Sequence, residues 1–456
     1  MNDIKLGSVW RRWDLHIHTK GTAKNDQFTS VTFDDFCVTL FKEALTKEIA
    51  VIGITDYFNV ENYKKVAQFV RDLDNFANST PSGDVVFTEE DKEKIKKIFI
   101  LPNVELRMMP STDSGRLVNI HCLFNPNFLS SIENDFFGSI KYTAGSGRIY
   151  PMNHQGMIDL GKSLDRSLVE DAAYKKGLAT FVVSHGDLQH LCDTNTNFRD
   201  NVVIVVSNSN NDGASAFQQH YDLFEEVEES QLDAVRKSIY CISQAIFSSN
   251  PEDKKYFLGE KVDNTDTVIS KCGSLKPCIH GSDAHSEDKL FNPDNNSYCW
   301  IKADPTFEGL QQIIWDPKER VKIQERNPSD TKSGRIVINS VSYKDSDGNS
   351  KVVPLNKDLN SIIGIRGSGK STLLKNIAYK VDPMQFSEKD RVDRLYPLNS
   401  FKVTWGDGQE DHGTDESPKS VFYIPQNYLS SLAYDEGDKA KERDLFLTKL
   451  LKKHVR

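Results

Sequence analysis

Two histidines separated by one residue stand near the start of the chain, in the stretch WDLHIHT from Trp13 to Thr19. In an extended strand, side chains two positions apart point to the same side, so the rings of His16 and His18 can reach one point in space. Neutral imidazole nitrogens bind zinc, manganese and iron well. The pair therefore predicts half of a metal site, which acids and histidines from elsewhere must complete.

Residues that could complete such a site recur along the first part of the chain. They are Glu105 in LPNVELR, His121 in NIHCLF, His185 in VVSHGD, and Asp283 and His285 in GSDAH. Each ends or follows an apolar, β-rich run, and the strand ends of an α/β barrel gather such residues on one face. We therefore expect all of these side chains to meet His16 and His18 in a single metal-binding pocket.

The elements that must position these residues alternate between strands and helices, which predicts an α/β fold. A polar, glycine-containing stretch from Asn125 to Lys176 is predicted to be an insertion that forms a substrate lid. The predicted helices are Phe33–Lys47, Glu61–Ala77 and Gln231–Phe247. The predicted strands are Ala50–Thr55, Lys96–Val104, Arg116–Phe124, Thr180–Ser184, Asn201–Val206 and Pro277–Gly281.

The order HxHT, TD, an isolated Glu, a strand-end His, SH and GSDAH resembles the PHP (polymerase and histidinol phosphatase) family of metal-dependent phosphoesterases. The resemblance implies a distorted (β/α)7 barrel over residues 1–326. It also implies that Glu105 bridges two divalent ions, zinc, manganese or iron. One ion would be held by His16, His18 and Asp283, and the other by His121 and His185. The residues that the resemblance assigns to catalysis are Glu105, His185, Asp283 and His285.

The chain departs from this family at the residues of an additional metal site. The family's TDH motif has Tyr57 in place of its histidine, and no histidine follows His18 until His121. Of that site only His285 clearly remains, either as a ligand or as a donor to the phosphate or the leaving group. We therefore expect two ions rather than three, and Asp26 and Asp56 stay open as substitute ligands for a third.

A phosphate-binding motif occurs later, in SIIGIRGSGKSTLL from Ser361 to Leu374. It fits GxxxxGK[ST], with a predicted strand before it and a predicted helix after it. The backbone N–H groups of such a loop surround phosphates, Lys370 can reach the β- and γ-phosphates, and Ser371 can bind Mg²⁺. We predict that ATP with magnesium binds here. The predicted contacts are Gly364, Arg366, Gly367, Ser368, Gly369, Lys370, Ser371, Thr372 and, in a later Pro-Gln pair, Gln426.

The region around this motif resembles the ATPase domains of ABC and SMC-like proteins. SVFYIPQNYL from Ser420 to Leu429 is similar to their Q-loop, but neither a Walker B acid pair nor an LSGGQ signature follows. The resemblance thus implies the N-terminal part of an ATPase domain over residues 334–456, after a polar break at NPSDTKSG. The combination with the earlier motifs resembles the TrlF-like family, which implies homo-oligomers formed through the ATPase domain.

Composition indicates the cellular compartment in which the protein acts. The hydrophobic content of 38% and charged content of 27% are typical of soluble globular proteins. No apolar run is long enough for a membrane span, the N-terminus lacks an apolar signal core, and the seven cysteines include no CxxC pair. We therefore expect a cytoplasmic protein with free thiols and no membrane contact.

Charge and domain combination favour one function over two alternatives. The net charge of −9 argues against a globally basic nucleic-acid binder but not against a nuclease with a local positive groove. We predict a metal-dependent nuclease regulated by ATP, and the resemblance implies nucleic-acid surveillance or phage defence. The alternatives are a small-molecule phosphoesterase and an ATP-responsive scaffold with a degenerate metal site.

Overall fold

The computed structural model describes residues 7–76, 85–109, 117–208, 231–331, 333–345, 347–386, 400–412 and 419–424. The chain forms two compact units, one from Gly7 to Pro328 and a second that begins at Ser329. The division falls within the polar break at NPSDTKSG. Gln426 lies outside the described residues. Among the helices that are described, none is both long and apolar enough to cross a bilayer.

The first unit is built on a nine-stranded sheet whose order is β11-β10-β1-β2-β3-β4-β7-β8-β9. The two strands at the ends of this order approach each other, so the sheet curls into a nearly closed barrel. A separate hairpin consists of β5 and β6. The strand bounds are β1 (Trp10–Ile17), β2 (Ile49–Tyr57), β3 (Phe99–Met108), β4 (Val118–Phe124), β5 (Lys141–Thr143), β6 (Ile149–Pro151), β7 (Val202–Ser207), β8 (Ala245–Phe247), β9 (Cys278–Ile279), β10 (Cys299–Lys302) and β11 (Val321–Ile323).

Strand directions in this sheet are mixed, which corrects the expected sevenfold β/α repeat. Strands β1, β2 and β3 are parallel, but β4 runs antiparallel to both β3 and β7. A parallel neighbour needs a crossover of a dozen or more residues, and only residues 109–117 connect β3 to β4. The short connection therefore forces an antiparallel pair. Strands β10 and β11 are antiparallel additions at the other edge.

Helices and three hydrophobic clusters enclose the sheet. One cluster packs β1 and β2 against the first helices, and a second packs β3, β4 and β7 against the helices that follow. The third fills the concave side of the sheet. The helices are α1 (Phe33–Thr46), α2 (Glu61–Arg71), α3 (Glu89–Ile95), α4 (His154–Leu164), α5 (Glu170–Thr180), α6 (His185–Thr194), α7 (Thr196–Asp200), α8 (Gln231–Ile242), α9 (Pro251–Phe257), α10 (Thr265–Cys272), α11 (Phe307–Trp315) and α12 (Pro317–Arg320).

Strand β7 confirms the prediction of a strand buried on both faces. Val203 and Val205 belong to the concave cluster, whereas Val202, Ile204 and Val206 belong to the outer one. All six residues of the strand are buried. This explains why its sequence is apolar throughout rather than alternating.

Two element predictions for the first unit were wrong. No strand covers Thr180–Ser184, because α5 runs to Thr180 and His185 begins α6. The predicted helix Gln231–Phe247 ends at Ile242, and Ala245–Phe247 instead pairs with β7 as strand β8. Short apolar runs do not distinguish strand from helix by periodicity alone, and here tertiary pairing decides.

The insertion after β4 is part of the core of the first unit. Phe128, Ile132 and Phe136 are buried in the outer cluster, and the ring of Phe136 stacks on that of Phe198 at 5.4 Å between centroids. Helices α4 and α5 pack so closely that Gly161 leaves no room for a Cβ against the backbone of Ala173. Residues predicted as a substrate lid thus form a packed wall of the barrel.

The second unit has a four-stranded antiparallel sheet in the order β13-β12-β14-β15. Strands β12 (Ile338–Lys344) and β13 (Ser350–Pro354) form a hairpin, and β14 (Lys402–Trp405) and β15 (Glu410–Asp411) complete the sheet. The predicted strand before the phosphate-binding motif is absent, and Ile363 and Ile365 are 90% and 82% exposed. No described strand pairs with this segment, so nothing holds it extended. Helix α13 (Lys370–Val381) follows, as expected.

Candidate metal centre

Four ligand-type atoms meet on the concave side of the barrel. They are His16 Nε2, His18 Nε2, Glu105 Oε2 and Asp283 Oδ1. The two ring nitrogens are 3.3 Å apart, and Asp283 Oδ1 lies 3.2 Å and 3.5 Å from them. Glu105 Oε2 lies 3.7 Å from His16 Nε2 and 3.4 Å from His18 Nε2. Glu105 Oε2 and Asp283 Oδ1 thus both lie close to the same pair of ring nitrogens.

The separations within this cluster fit a divalent metal ion. Ligands at about 2.0–2.2 Å from a tetrahedrally coordinated ion are separated by about 3.3–3.6 Å. Two imidazole nitrogens and two carboxylate oxygens are also a chemically suitable donor set for zinc or manganese. His16, His18, Glu105 and Asp283 could therefore hold one ion with little rearrangement.

Strand pairing explains how residues so distant in sequence meet. Glu105 lies within β3, opposite Tyr57 of β2 on one side and His121 of β4 on the other. The backbone N–H of Asp283 donates to the carbonyl of His16 at 2.8 Å, and that of His18 donates to Ala284 at 3.1 Å. His16 and His18 thus lie at the end of β1, as expected of strand-end ligands, whereas Glu105 and His121 lie inside their strands.

A bulge in β1 directs the two histidines toward the interior. Asp14 pairs with Ile52 and Ile17 with Ile54, so β1 has one residue more than β2 over this stretch. As a result the consecutive residues Leu15 and His16 both contact the concave cluster, where the His16 ring lies 5.5 Å from that of Phe247. Such bulges commonly re-aim side chains next to functional sites.

The loop that carries Asp283 is held against β1 by polar contacts and by its backbone shape. Asp283 has a φ of 49°, a left-handed conformation that non-glycine residues seldom adopt. The buried carboxylate of Asp14 accepts hydrogen bonds from the N–H of Ser282 at 3.0 Å and 3.1 Å. Burial raises the pKa of Asp14 to about 6, although these hydrogen bonds act to lower it. Residue 281 must be glycine, because a Cβ there would lie 2.6 Å from the His16 nitrogen.

The tautomer of His121 is set by Asn103. The Asn103 Nδ2 group donates to the carbonyl of Leu15 and to Thr55 Oγ1, both at 3.0 Å, which identifies Oδ1 as its acceptor. His121 Nδ1 lies 3.2 Å from that oxygen and therefore donates to it. The Nε2 atom of a neutral His121 ring is thus the one that can bind a metal ion.

Electrostatics keep both carboxylates of the cluster ionised. Burial acts to raise the pKa of Glu105, but the Arg107 charge and the rings of His16 and His18 outweigh it and hold the pKa well below its usual value. The pKa of Asp283 is also lowered by His16 and His18 against the effect of burial. Two anions close to the same pair of histidine rings favour a bound cation.

Comparisons with known proteins find fold-level similarities of low score. No family model matches the chain, and no curated protein matches it. A structure described as a metal-dependent phosphoesterase from Bifidobacterium adolescentis is 12% identical, covers 67% of this chain and 96% of its own, and has a TM-score of 0.31. PsfC from Pseudomonas syringae is 10% identical, covers 70% of this chain and 94% of its own, and has a TM-score of 0.30. An amidohydrolase from Chromobacterium violaceum, solved with bound sulfate and no metal, is 12% identical, covers 60% and 88%, and scores 0.29. TM-scores of this size do not establish a shared family.

The remaining predicted ligands lie at different distances from this centre. His121 forms a second group of ligand atoms with His16 and Glu105, within 4.8 Å of one another. The His285 ring stacks on His18 at 4.2 Å, and its Nε2 lies 3.6 Å from Asp283 Oδ1. Burial and then the nearby His18 lower the pKa of His285 to about 4. His185, half-buried at the start of α6, belongs to neither group of ligand atoms, so its roles in metal binding and catalysis stay predictions.

The substitute ligands considered for a third ion are engaged elsewhere. Asp56 Oδ2 accepts from the N–H groups of Asn62 and Tyr63 at 3.1 Å, at the start of α2. Asp26 accepts from the N–H groups of Gly21 at 2.8 Å and Phe28 at 3.2 Å. Both carboxylates thus stabilise local backbone structure.

Two cations next to the cluster were missed in the sequence. The Arg107 guanidinium forms an ion pair with Glu105 Oε1 and lies 5.5 Å from the ring of Tyr57. The Lys24 ammonium lies 5.1 Å from the same ring, and burial followed by repulsion from Arg107 lowers the pKa of Lys24. A signal for Arg107 and Asn103 was present, because positions 103, 105 and 107 of one strand share a face. Lys24 lies in a loop and had no such signal.

The phosphate-binding motif of the second unit has the local shape expected of its sequence. Gly367 and Gly369 have φ values of 85° and 87°, which only glycine adopts readily. Lys370 starts helix α13, and its Nζ donates to the carbonyls of Gly364 at 2.7 Å and Ile365 at 2.8 Å. The Lys370 side chain therefore folds back over the same loop that would bind a phosphate.

Proposed function

We propose that the first unit is a metal-dependent phosphoester hydrolase and that its substrate is a nucleic acid. The observation that carries this proposal is the cluster of His16, His18, Glu105 and Asp283. When bound, a divalent ion supplies Lewis acidity and lowers the pKa of a water molecule bound to it. A phosphoester is favoured over a neutral substrate because two cations, Lys24 and Arg107, lie beside the cluster.

The position of each side chain indicates its role in the proposed reaction. Asp283 is the most accessible member of the cluster, with 33% of its side chain exposed, whereas His18 is fully buried. Substrate would therefore approach from the side of Asp283. His285 lies on the same side and, because of its lowered pKa, is neutral at pH 7. A neutral ring there can accept a proton from a water molecule.

The second unit is proposed to bind ATP with magnesium at Gly364 to Thr372 and to regulate the first. The support is the glycine conformations and the placement of Lys370 at a helix start. Association of two chains through this unit, and a role in nucleic-acid surveillance or phage defence, remain further parts of the proposal. They follow from the resemblance of the motifs described above.

Cleavage assays with matched histidine variants test the proposal. Wild type, His16→Ala and His190→Ala are incubated with Mn²⁺ or Zn²⁺ and labelled single-stranded DNA or RNA, and in parallel with a chromogenic phosphate monoester. His190 is exposed on α6 and serves as the control. We expect cleavage by wild type and His190→Ala, and a loss of at least about 100-fold in His16→Ala.

The pattern across substrates separates the alternatives. Hydrolysis of the monoester alone would replace the nuclease with a small-molecule phosphoesterase. Equal activity in wild type and His16→Ala would rule out hydrolysis at this centre. A metal analysis that finds fewer than one bound ion per chain would favour the scaffold with a degenerate metal site.

A further inference from the structure

We propose, building on the hydrolase function above, that the centre holds one metal ion and that Arg107 and Lys24 take the place of a second. In this arrangement the two side chains bind the phosphoryl group of the substrate next to the single ion. This differs from the two-ion centre that the sequence predicts. Arg107 and Lys24 belong to none of the motifs identified in the sequence.

The two oxygens of Glu105 have different partners, and this is the first step of the inference. Oε2 faces His16 and His18, at 3.7 Å and 3.4 Å from their Nε2 atoms. Oε1 forms an ion pair with the guanidinium of Arg107. A carboxylate that bridges two ions commonly offers one oxygen to each. Here Oε1, the oxygen that a second ion would bind, is already paired with the positive charge of Arg107.

The ligand atoms that remain for a second ion are too few. The second group contains His16, Glu105 and His121, and His16 also belongs to the first group, with His18 and Asp283. Among the described residues, a second ion would therefore have only Glu105 and His121 once His16 held the first. Catalytic ions are usually held by three protein ligands, so two separate ions would compete for the same atoms.

Lys24 adds a second fixed charge on the same side. Its Nζ and the guanidinium carbon of Arg107 lie 5.1 Å and 5.5 Å from the centroid of the Tyr57 ring. That ring stacks on His18 at 4.9 Å with an angle of 17° between the planes. Tyr57 thus places both cations beside a metal ligand, where an anion could contact the ion and the cations together.

The chemistry of these groups selects a phosphoryl group as the ligand. A guanidinium presents its N–H groups in a planar fork that matches phosphate oxygens, and an ammonium adds a point charge. Arg107 and Asp283 are 15% and 33% exposed, so solvent and ligand can reach this side of the cluster. With one divalent ion, the two cations would offset the negative charges of a phosphate ester, Glu105 and Asp283.

Metal stoichiometry is the first measurement. The full chain is incubated with excess Zn²⁺ or Mn²⁺, desalted, and analysed by elemental mass spectrometry. We expect about one ion per chain. Two ions per chain would overturn this inference and leave the hydrolase proposal intact, whereas a value near zero would overturn both.

Binding of inorganic phosphate to the metal-loaded chain is the second measurement. By calorimetry, Arg107→Gln should weaken phosphate binding at least about tenfold, because a charge-assisted contact is lost, while it keeps one ion. Lys24→Gln should weaken binding by a smaller factor, and the exposed Arg148→Gln is the control. Arg107→Lys keeps the charge and should recover part of the affinity, which separates this role from a loss of folding. Unchanged phosphate affinity in metal-loaded Arg107→Gln would overturn the inference.

Discussion

At the scale of single residues, the centre is defined by a charge imbalance in a buried space. Glu105 is 1% exposed and ionised, and His16 and His18 are 6% and 0% exposed. Asp283 brings a second carboxylate to the same rings. Without an ion, protons on the histidines compensate this charge: burial acts to lower the pKa of His18, but Asp283 and Glu105 raise it above its usual value. A metal ion and these protons therefore compete for the same nitrogens.

Acidification should release the ion because of this competition. Above the raised pKa of His18 the ring is neutral and binding does not displace its proton. As the pH falls through that pKa, affinity should drop by about tenfold per pH unit for each competing proton. Dissociation constants measured by chelator competition at pH 8, 7, 6 and 5 test this, with His190→Ala as a control that keeps the profile. A constant affinity from pH 8 to pH 5 would contradict the assignment of His18.

At the scale of elements, the centre depends on close contact between β1 and the loop after β9. The N–H of Asp283 bonds to the carbonyl of His16, and Asp14 holds Ser282. Gly281 makes this approach possible, since a Cβ on it would lie 2.7 Å from Asp14 Oδ1 and from the Cβ of His16. One backbone hydrogen bond thus joins the ligand residues His16 and Asp283 without involving either side chain.

Gly281→Ala should impair the centre without changing any ligand. The added methyl group has no space, so we expect a loss of stability of about 1–3 kcal/mol and a reduced ion content. The measurements are the thermal midpoint of unfolding and the metal stoichiometry. Gly145→Ala is the matched control, because no atom lies within 4 Å of a Cβ at that position. If both variants retained wild-type stability and metal content, the contact would not support the centre as we describe.

At the scale of the whole molecule, the two candidate sites belong to different compact units. The metal centre lies in the unit from Gly7 to Pro328, and the phosphate-binding loop lies in the unit that begins at Ser329. Each unit has its own hydrophobic cluster. Substitutions in one site should therefore leave ligand binding at the other unchanged, unless ATP couples them.

Lys370→Ala separates nucleotide binding from metal binding. We expect at least about a tenfold loss of affinity for a fluorescent ATP analogue with Mg²⁺, because the lysine contacts phosphates, and an unchanged metal stoichiometry. Lys375→Ala, five residues later on the same helix, is the control. If ATP regulates hydrolysis, it should alter the cleavage rate of wild type and Lys375→Ala but not of Lys370→Ala. Equal nucleotide affinity in all three proteins would exclude the loop as the binding site.

Local patterns in the sequence were sufficient for a large part of this description. The residue types and order of His16, His18, Glu105, His121 and Asp283 predicted which side chains would meet. Short apolar runs identified the strands around Ile49–Tyr57 and Val202–Ser207, and helical periodicity identified the helix Phe33–Thr46. Such features are encoded by residues a few positions apart, so a single sequence contains them.

Only the tertiary structure decided how the ligands are shared and what surrounds them. The antiparallel turn into β4 pairs Glu105 with His121, and the bulge in β1 aims His16 inward. The pairing of β2 with β3 brings Arg107 to Tyr57, the loop after β1 brings Lys24 there, and His185 lies at the start of a helix. Strand direction, bulges and contacts across the barrel depend on residues far apart in the chain, and no local spacing records them.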